Sequence, residues 1–310
     1  MPVARVAAQA KVNLFLQVGE PRPDGFHDVF TMFQLLDLAD DVVVRVGGAG
    51  RTLHVAGARI PEDGLGPTDK NLAFRAALAY AARTGWPAGF SIELLKNIPA
   101  GGGLGGGSSD AGAVLRGLNA LNERPLGQAD LFAVAASLGS DVAFFVSGSA
   151  RALATGRGEE VHDLEPLDAR DVLLVIPPFG VPTADAYRWL DEDRAEAKAA
   201  APASARAKRS VESVLFDSLS PPEALNDWAF IGRASHNDFE PAVERRHPDL
   251  RAVRERLNHA GAALAHLSGS GSTVFAVFEA LPTLPTDLPA GAVVLRTRTS
   301  RRVVQVEVQE

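Results

Sequence analysis

Pro99-Ala100-Gly101-Gly102-Gly103-Leu104-Gly105-Gly106-Gly107-Ser108-Ser109-Asp110 packs six glycines into seven residues and then turns polar. Directly behind it, Val114, Leu118 and Leu121 recur at helical spacing. This predicts a helix from about residue 109 to 121, with Ser108 or Ser109 as its N-cap. Glycine lets a backbone take positive φ and approach a ligand closely. A glycine run that feeds straight into a helix turns several free N–H groups and the positive helix end toward one point, which suits a phosphate. A flexible linker has no reason to run into an amphipathic helix start. The loop is not of the Walker A kind, because no Gly-Lys pair occurs anywhere in the chain. Gly101, Gly103 and Gly106 do satisfy G-x-G-x-x-G. However, the five residues from Lys96 to Ala100 separate them from the strand-like stretch 90–95. The position some 20 residues on falls near Glu123, in the turn-like Asn122-Glu123-Arg124-Pro125, so a dinucleotide fold is a poor match.

Outward from the loop, residues 3–18 read as β-structure. Val12, Leu14, Leu16 and Val18 alternate on one face and leave Lys11, Asn13 and Gln17 on the other. A turn-rich loop spans 21–27, and strands are predicted over 31–36 and 42–46. Residues 47–67 read as hairpins and loops, and 71–83 as a helix. Downstream, a helix over 129–138 leads into Gly139-Ser140-Asp141, and Val172 to Ile176 reads as a buried strand. Residues 191–209 are rich in alanine and in charges of both signs without an apolar stripe, the pattern of a solvated helix or mobile insert without a functional role. A helix is predicted over 248–260. A second small-residue loop, Ser268-Gly269-Ser270-Gly271-Ser272, precedes a strand over 273–278, and the Val/Arg alternation of the last twenty residues fits a terminal strand. Helices and strands mix without a regular βαβ alternation, which favours an α+β fold over a doubly wound sheet.

The 310 residues allow about two domains. With 46% hydrophobic and 22% charged residues a sizeable core can form. The absence of cysteine excludes disulfides, thiolate zinc sites, iron–sulfur clusters and a cysteine nucleophile. A net charge of −7 without a sizeable basic patch argues against a nucleic-acid partner. The lack of an 18-residue apolar run argues against a membrane span. Arg5 and Lys11 interrupt the N-terminus too early for a signal-peptide core, so the expected location is cytoplasmic. The seven histidines lack ligand spacing and no G-x-S-x-G occurs, so neither a metal site nor a hydrolase elbow is expected. Taken alone, Lys11 and Asn13 read as a solvated face, Asp141 as a helix cap, and 268–272 as a tight turn.

PAGGGLGGGSSDA at 99–111 resembles the phosphate loop of the GHMP kinases, the family of galactokinase, homoserine kinase and the mevalonate kinases. Around it stand AKVNLFLQV at 10–18, RPDGFHDV at 22–29, LGSDVAFFVSG at 138–148 and SGSGST at 268–273. Their order is similar to that of one branch of the family, which phosphorylates a cytidylylated tetritol in the non-mevalonate isoprenoid route. The departures are Phe26 where that branch usually has Tyr, Ala143 where it often has Pro, and the Ala-rich insert. The resemblance implies a two-domain α+β fold with the site in the cleft between domains. The N-terminal domain would cover 1–160 and the C-terminal domain 161–310, with a late segment able to return to the first. It implies transfer of a phosphoryl group from ATP, with Mg²⁺, to the 2-hydroxyl of a small molecule bearing a cytidine diphosphate group. The alternative is another GHMP kinase of the homoserine or mevalonate type. Pro99 to Ser109 would hold ATP, and Ser268, Gly269, Ser270 and Gly271 would close on the phosphates from the second domain. Lys11 and Asp141 would be catalytic. Asp141 would accept the hydroxyl proton or orient the hydroxyl, and Lys11 would offset charge on the carboxylate and the moving phosphoryl. Asn13, Phe26, His27, Thr183 and Tyr187 would bind the substrate, with Phe26 and Tyr187 facing each other across the cytosine. His236 to Glu240 reads as structural. The protein is expected to act as a monomer or weak homodimer.

Overall fold

The computed structural model describes residues 1–61, 64–200, 225–282 and 288–309. Its first half is built on a hairpin of two long strands, β1 (Val3–Pro21) and β2 (His27–Val46), paired antiparallel. β4 (Phe90–Leu95) adds antiparallel to the far end of β2, and β3 (Arg51–Ala56) lies parallel to β4 at the sheet edge. A parallel neighbour needs a crossover, and α1 (Leu72–Thr84) supplies it. Residues 47–67 therefore contain a sheet strand rather than the expected hairpins. β5 (Arg151–Thr155) and β6 (Glu160–Asp163) extend the sheet beside Thr31–Gln34 of β2.

α1, α2 (Gly106–Leu121), α3 (Gln128–Leu138) and α4 (Ser140–Val146) accompany this sheet. Val6, Val42, Val44, Ile92 and Leu94 from the strands meet Ala76, Tyr80, Val114 and Leu118 from the helices in one buried cluster. Each large apolar side chain so buried contributes about 1.5–3 kcal/mol. Gly117 lets α2 approach closely: a Cβ there would lie 3.3 Å from both Ala4 and Val6.

The second sheet is antiparallel in the order β10-β7-β9-β8, made of β7 (Asp171–Ile176), β8 (Leu264–Leu267), β9 (Val274–Phe278) and β10 (Val293–Arg298). α5 (Thr183–Ala200), α6 (Trp228–Ala234), α7 (Glu240–Arg246) and α8 (Pro248–His259) complete this half. Val172 to Ile176 are all buried, as their unbroken apolar run predicts. The chain then returns: β11 (Glu307–Gln309) pairs antiparallel with β1 of the first sheet. The mostly antiparallel pairing bears out the α+β reading.

Three further sequence expectations change. β2 runs through 37–41 as one strand, because the polar Asp40 in its middle is fully buried against Lys96 rather than ending the strand. α2 starts at Gly106 with Gly105 as its cap at φ 72°, not at Ser108 or Ser109. Ser109 lies inside the helix, where its hydroxyl donates to the Gln9 carbonyl at 2.7 Å. Residues 191–200 belong to α5 and make specific contacts across to β1, whereas 201–209 lie outside the described residues.

Candidate active site

Period-two alternation puts Lys11 and Asn13 on one face of β1, between two register shifts of the β1–β2 pair. That face is not solvated: Lys11 and Asn13 are each 3% exposed. Lys11 Nζ donates to Asn13 Oδ1 at 2.7 Å and stands 3.4 Å from Asp141 Oδ2. Asn13 Nδ2 donates to Thr31 Oγ1 at 2.7 Å, and that hydroxyl donates to the Phe15 carbonyl at 2.7 Å. The chain of donors fixes the Asn13 amide with its oxygen toward the ammonium. A buried ammonium is costly unless paired, and here an amide oxygen and a carboxylate share it. Asp141 sits in the first turn of α4 with its side chain one-third exposed, so the carboxylate also faces open space.

The Lys11 backbone N–H donates to the Leu104 carbonyl at 3.0 Å and ties the strand to the glycine loop. Gly101, Gly103 and Gly105 take φ of 75°, 77° and 72°, the left-handed region that favours glycine. Gly106, Gly107 and Ser108 open α2, where backbone N–H groups lack intrahelical acceptors. The second small-residue loop meets the first directly. Ser268 Oγ donates to the Gly103 carbonyl at 2.9 Å, and the Thr273 N–H donates to the Gly102 carbonyl at 3.3 Å. Asn237 braces this second loop by donating to the Leu267 and Gly269 carbonyls at 2.8 and 2.7 Å. Thr183 Oγ1 and Ser270 Oγ share a hydrogen bond of 3.3 Å.

The glycine loop is a wall between two cavities. One, of about 330 Å³, is lined by Lys11, Asn13, Asp141, Thr183, Tyr187 and Ser270 along with Gly101, Gly103 and Gly105 to Ser108. The other, of about 260 Å³, is lined by Asn71, Leu72, Lys96, Ile98 and Asp110 along with Pro99 to Gly107. Under the loop Lys96 Nζ is clamped between Asp40 and Asp110, 2.5 Å from Asp110 Oδ2. Asp40 Oδ1 also accepts from the Asn97 and Ile98 N–H groups. Burial pushes the Asp110 carboxyl up to about 7; Lys96 opposes this and Asp40 adds to it. Burial pulls the Lys96 ammonium down, but the two carboxylates outweigh it and leave it raised. Neither this brace nor Asn237 was assigned a site role from the sequence. Lys96 and Asp110 flank the glycines in the chain, but Asp40 is 56 residues from Lys96, a separation no local pattern reveals.

On the substrate side, Tyr187 stacks on His27 with ring centroids 4.8 Å apart and meets Phe239 edge-on. Burial pushes the Tyr187 hydroxyl up to about 12, with Asp141 and Asp191 adding to the effect. Phe26 does not touch Tyr187. The residue is 52% exposed, with the Arg157 guanidinium 5.0 Å from the centre of its ring. The structure thus brings His27, not Phe26, against Tyr187, and sets Arg157, which also lines the first cavity, beside Phe26. His27 Nε2 lies 3.0 Å from Asp191 Oδ1.

A Ser235–His266–Glu240 chain with two contacts of 2.9 Å has the wiring of a nucleophilic triad. The cavity at Ser235 holds only about 10 Å³, room for one water, so the chain links α6, β8 and α7 structurally. Among the described residues no helix is long and apolar enough to cross a membrane, and no group of three His, Cys, Asp or Glu could hold a metal ion.

Residues 71–149 match the family described as GHMP kinases N terminal domain, and 222–287 match GHMP kinases C terminal. A 4-diphosphocytidyl-2-C-methyl-D-erythritol kinase of Pelotomaculum thermopropionicum is 39% identical over 88% of this chain and 88% of its own. One from Solidesulfovibrio magneticus is 41% identical over 87% and 86%. A crystal structure of 4-(cytidine 5'-diphospho)-2C-methyl-D-erythritol kinase superimposes with a TM-score of 0.70 at 32% identity, covering 96% of this chain and 99% of that one. A homoserine kinase from Cytophaga hutchinsonii shares the fold, with a TM-score of 0.69 at 19% identity over 99% and 97% of the two chains.

Proposed function

The chain belongs to the 4-diphosphocytidyl-2-C-methyl-D-erythritol kinases of the GHMP kinase family, and from that premise we propose which residues carry the reaction. The enzyme transfers the γ-phosphoryl of ATP to the 2-hydroxyl of 4-diphosphocytidyl-2-C-methyl-D-erythritol, giving the 2-phosphate and ADP in isoprenoid precursor biosynthesis. The observation that carries our assignment is Lys11 Nζ, held between Asn13 Oδ1 and Asp141 Oδ2 beside the glycine loop.

The acceptor occupies the cavity of Lys11, Asn13, Asp141, Thr183 and Tyr187, and the adenosine of ATP the cavity on the Asn71 and Lys96 side. The triphosphate crosses the glycine wall, where the N–H groups of Gly106 to Ser108 and the positive end of α2 stabilise it. Ser268 to Gly271 cover it from the second half. The substrate 2-hydroxyl attacks the γ-phosphorus as the bond to the β-phosphate oxygen breaks. Asp141 orients the hydroxyl and takes its proton. The transition state is loose and bond formation is slight, so positioning and charge compensation dominate. Lys11 supplies a fixed cation where charge gathers on the transferring group. Asn13 keeps that ammonium aimed.

Mg²⁺ takes one or two protein oxygens and retains several waters. Ser108 and Asp141 line the same cavity and offer such oxygens. They would hold the ion, which neutralises phosphate charge when bound. The cytosine lies against the His27–Tyr187 stack and beside the exposed Phe26, a position we call the base slot. We place the domain boundary just past β6, a little beyond residue 160, supported by the split of the strands into two sheets, with the chain end returning to the first. The lack of cysteine fits a reducing cytoplasm, where we expect a monomer or weak homodimer.

A coupled ADP-release assay with the cytidylylated tetritol, homoserine and mevalonate tests the acceptor assignment. Turnover is expected with the first alone. Turnover of homoserine or mevalonate in its stead overturns the acceptor pocket and leaves only the fold.

A further inference from the structure

α5 presents a stripe of four side chains at spacings of four, three and four, and each grips the β1–β2 hairpin of the other half. Tyr187 stacks on His27. Asp191 Oδ1 is 3.0 Å from His27 Nε2. Arg194 donates to the Gly19 and Val18 carbonyls at 2.9 and 2.7 Å and to Asp238 at 3.0 Å. Lys198 pairs with Glu20 at 2.9 Å. Residues four and three apart share a helix face, so the alanine-rich, mixed-charge sequence hides a continuous polar seam. The opposite side of the helix is tied as well, by Asp193 to Arg245 and Arg246 at 3.0 and 3.1 Å.

We infer that Asp191 is a positioning residue for substrate binding, which sets the orientation and the proton placement of the His27 imidazole in the base slot. This rests on the reading of His27 as a substrate-binding residue. A carboxylate only accepts, so the contact assigns the ring proton to Nε2 and leaves Nδ1 of the neutral ring as a lone-pair acceptor. Stacking on Tyr187 fixes the plane of the ring but not which edge faces the ligand. A half-turn within that plane keeps the stack and exchanges a nitrogen for a carbon at each edge. The hydrogen bond to Asp191 removes that freedom. Asp191 is itself held, because Arg194 anchors the next turn of α5 to two main-chain carbonyls. The seam thus transmits the position of a second-half helix to a first-half side chain at the cleft.

The test combines steady-state kinetics with ¹⁵N ring spectra of His27 in the full-length enzyme. Asp191→Ala is expected to raise KM for the cytidylylated substrate about 3- to 10-fold, the equivalent of one hydrogen bond of about 0.5–1.5 kcal/mol. Both kcat and KM for ATP should stay within twofold. The ring spectrum should change from the Nε2-protonated form to a mixture of tautomers, and Asp191→Glu should restore part of both signals. Arg188→Ala, on the same helix but outside the seam, serves as the control for general damage to α5. An unchanged tautomer, or equal losses in kcat and in both KM values, overturns the positioning role. His27→Ala separates this from the base-slot reading. If it too leaves KM untouched, the slot is wrong; if only Asp191→Ala is silent, the slot stands and Asp191 does not position it.

Discussion

At the scale of single residues, two glycines of the same loop should respond very differently. A Cβ at Gly103 would run into the Ser268 carbonyl oxygen and come within 3.0 Å of the Gly271 carbonyl, at φ 77°. A Cβ at Gly101 has nothing within 4 Å, at φ 75°. Both substitutions strain the backbone by about 1–2 kcal/mol, but only at Gly103 must the second loop move. Gly103→Val should therefore weaken ATP binding in calorimetry by more than tenfold, about 1.4 kcal/mol, while Gly101→Ala stays nearer wild type. Equal effects would detach the second loop from the nucleotide site. Asp141→Asn keeps the shape of the side chain but cannot take a proton. It should lower kcat by about 10²- to 10⁴-fold with little change in KM for ATP. If kcat survives within a few-fold, Asp141 only orients the hydroxyl. The family resemblance singles out Lys11, Asn13 and Asp141, and the structure brings the three side chains together. The sequence did not supply the pairing of Tyr187 with His27, since a stack between residues 160 positions apart leaves no trace in local spacing.

At the scale of elements, the brace under the glycine loop joins β2, the end of β4 and α2 through Asp40, Lys96 and Asp110. It also explains why β2 continues where the sequence pattern predicts a break between 36 and 42. Asp40 breaks the apolar alternation that marks a strand, yet it is fully buried because Lys96 and two backbone N–H groups satisfy it. α2 starts ahead of the predicted serine cap for a related reason. Serine is the usual cap, but here the left-handed Gly105 caps and Ser109 serves packing against β1. Asp110 gives this brace a pH signature. Its carboxyl is pushed from 3.8 to about 7 by burial, so between those values the native state holds a proton that the unfolded chain has released. The corresponding stability is fully present below about pH 4 and is lost as pH rises through 7. Thermal melts of wild type and Asp110→Asn across pH 5 to 8 should therefore differ in slope, wild type losing relative stability toward pH 8. Parallel slopes would mean that Asp110 is ionised throughout.

At the scale of the whole molecule, the chain end decides whether the first sheet is complete. The Val/Arg alternation of the last twenty residues foretold a strand, but strand pattern names no partner. The described structure has β10 on the second sheet and β11 on the first, joined by a segment that crosses between them. Along that crossing the Ser300 N–H donates to the Leu35 carbonyl at 2.8 Å, and Gln34 Nε2 donates to the Ser300 carbonyl at 2.8 Å. The Val304 N–H donates to Gln9 Oε1 at 2.9 Å, and Val303 is buried against Phe33 and Phe144. Gln9 and Gln34 are themselves buried in the hairpin that carries Lys11 and Asn13. Removing residues 300–310 strips hydrogen-bond partners from two buried amides, at about 1–3 kcal/mol each. Uncovering the cluster around Val303 costs about 1.5 kcal/mol or more besides. The sum is a large share of the roughly 5–15 kcal/mol that holds a domain folded. The truncated chain should melt well below wild type, and cytidylylated substrate at saturation should recover part of the loss, because it binds only the folded state. A truncation that melts with the full-length protein would show that the first sheet closes without the chain end, and that the crossing segment is an appendage to the fold.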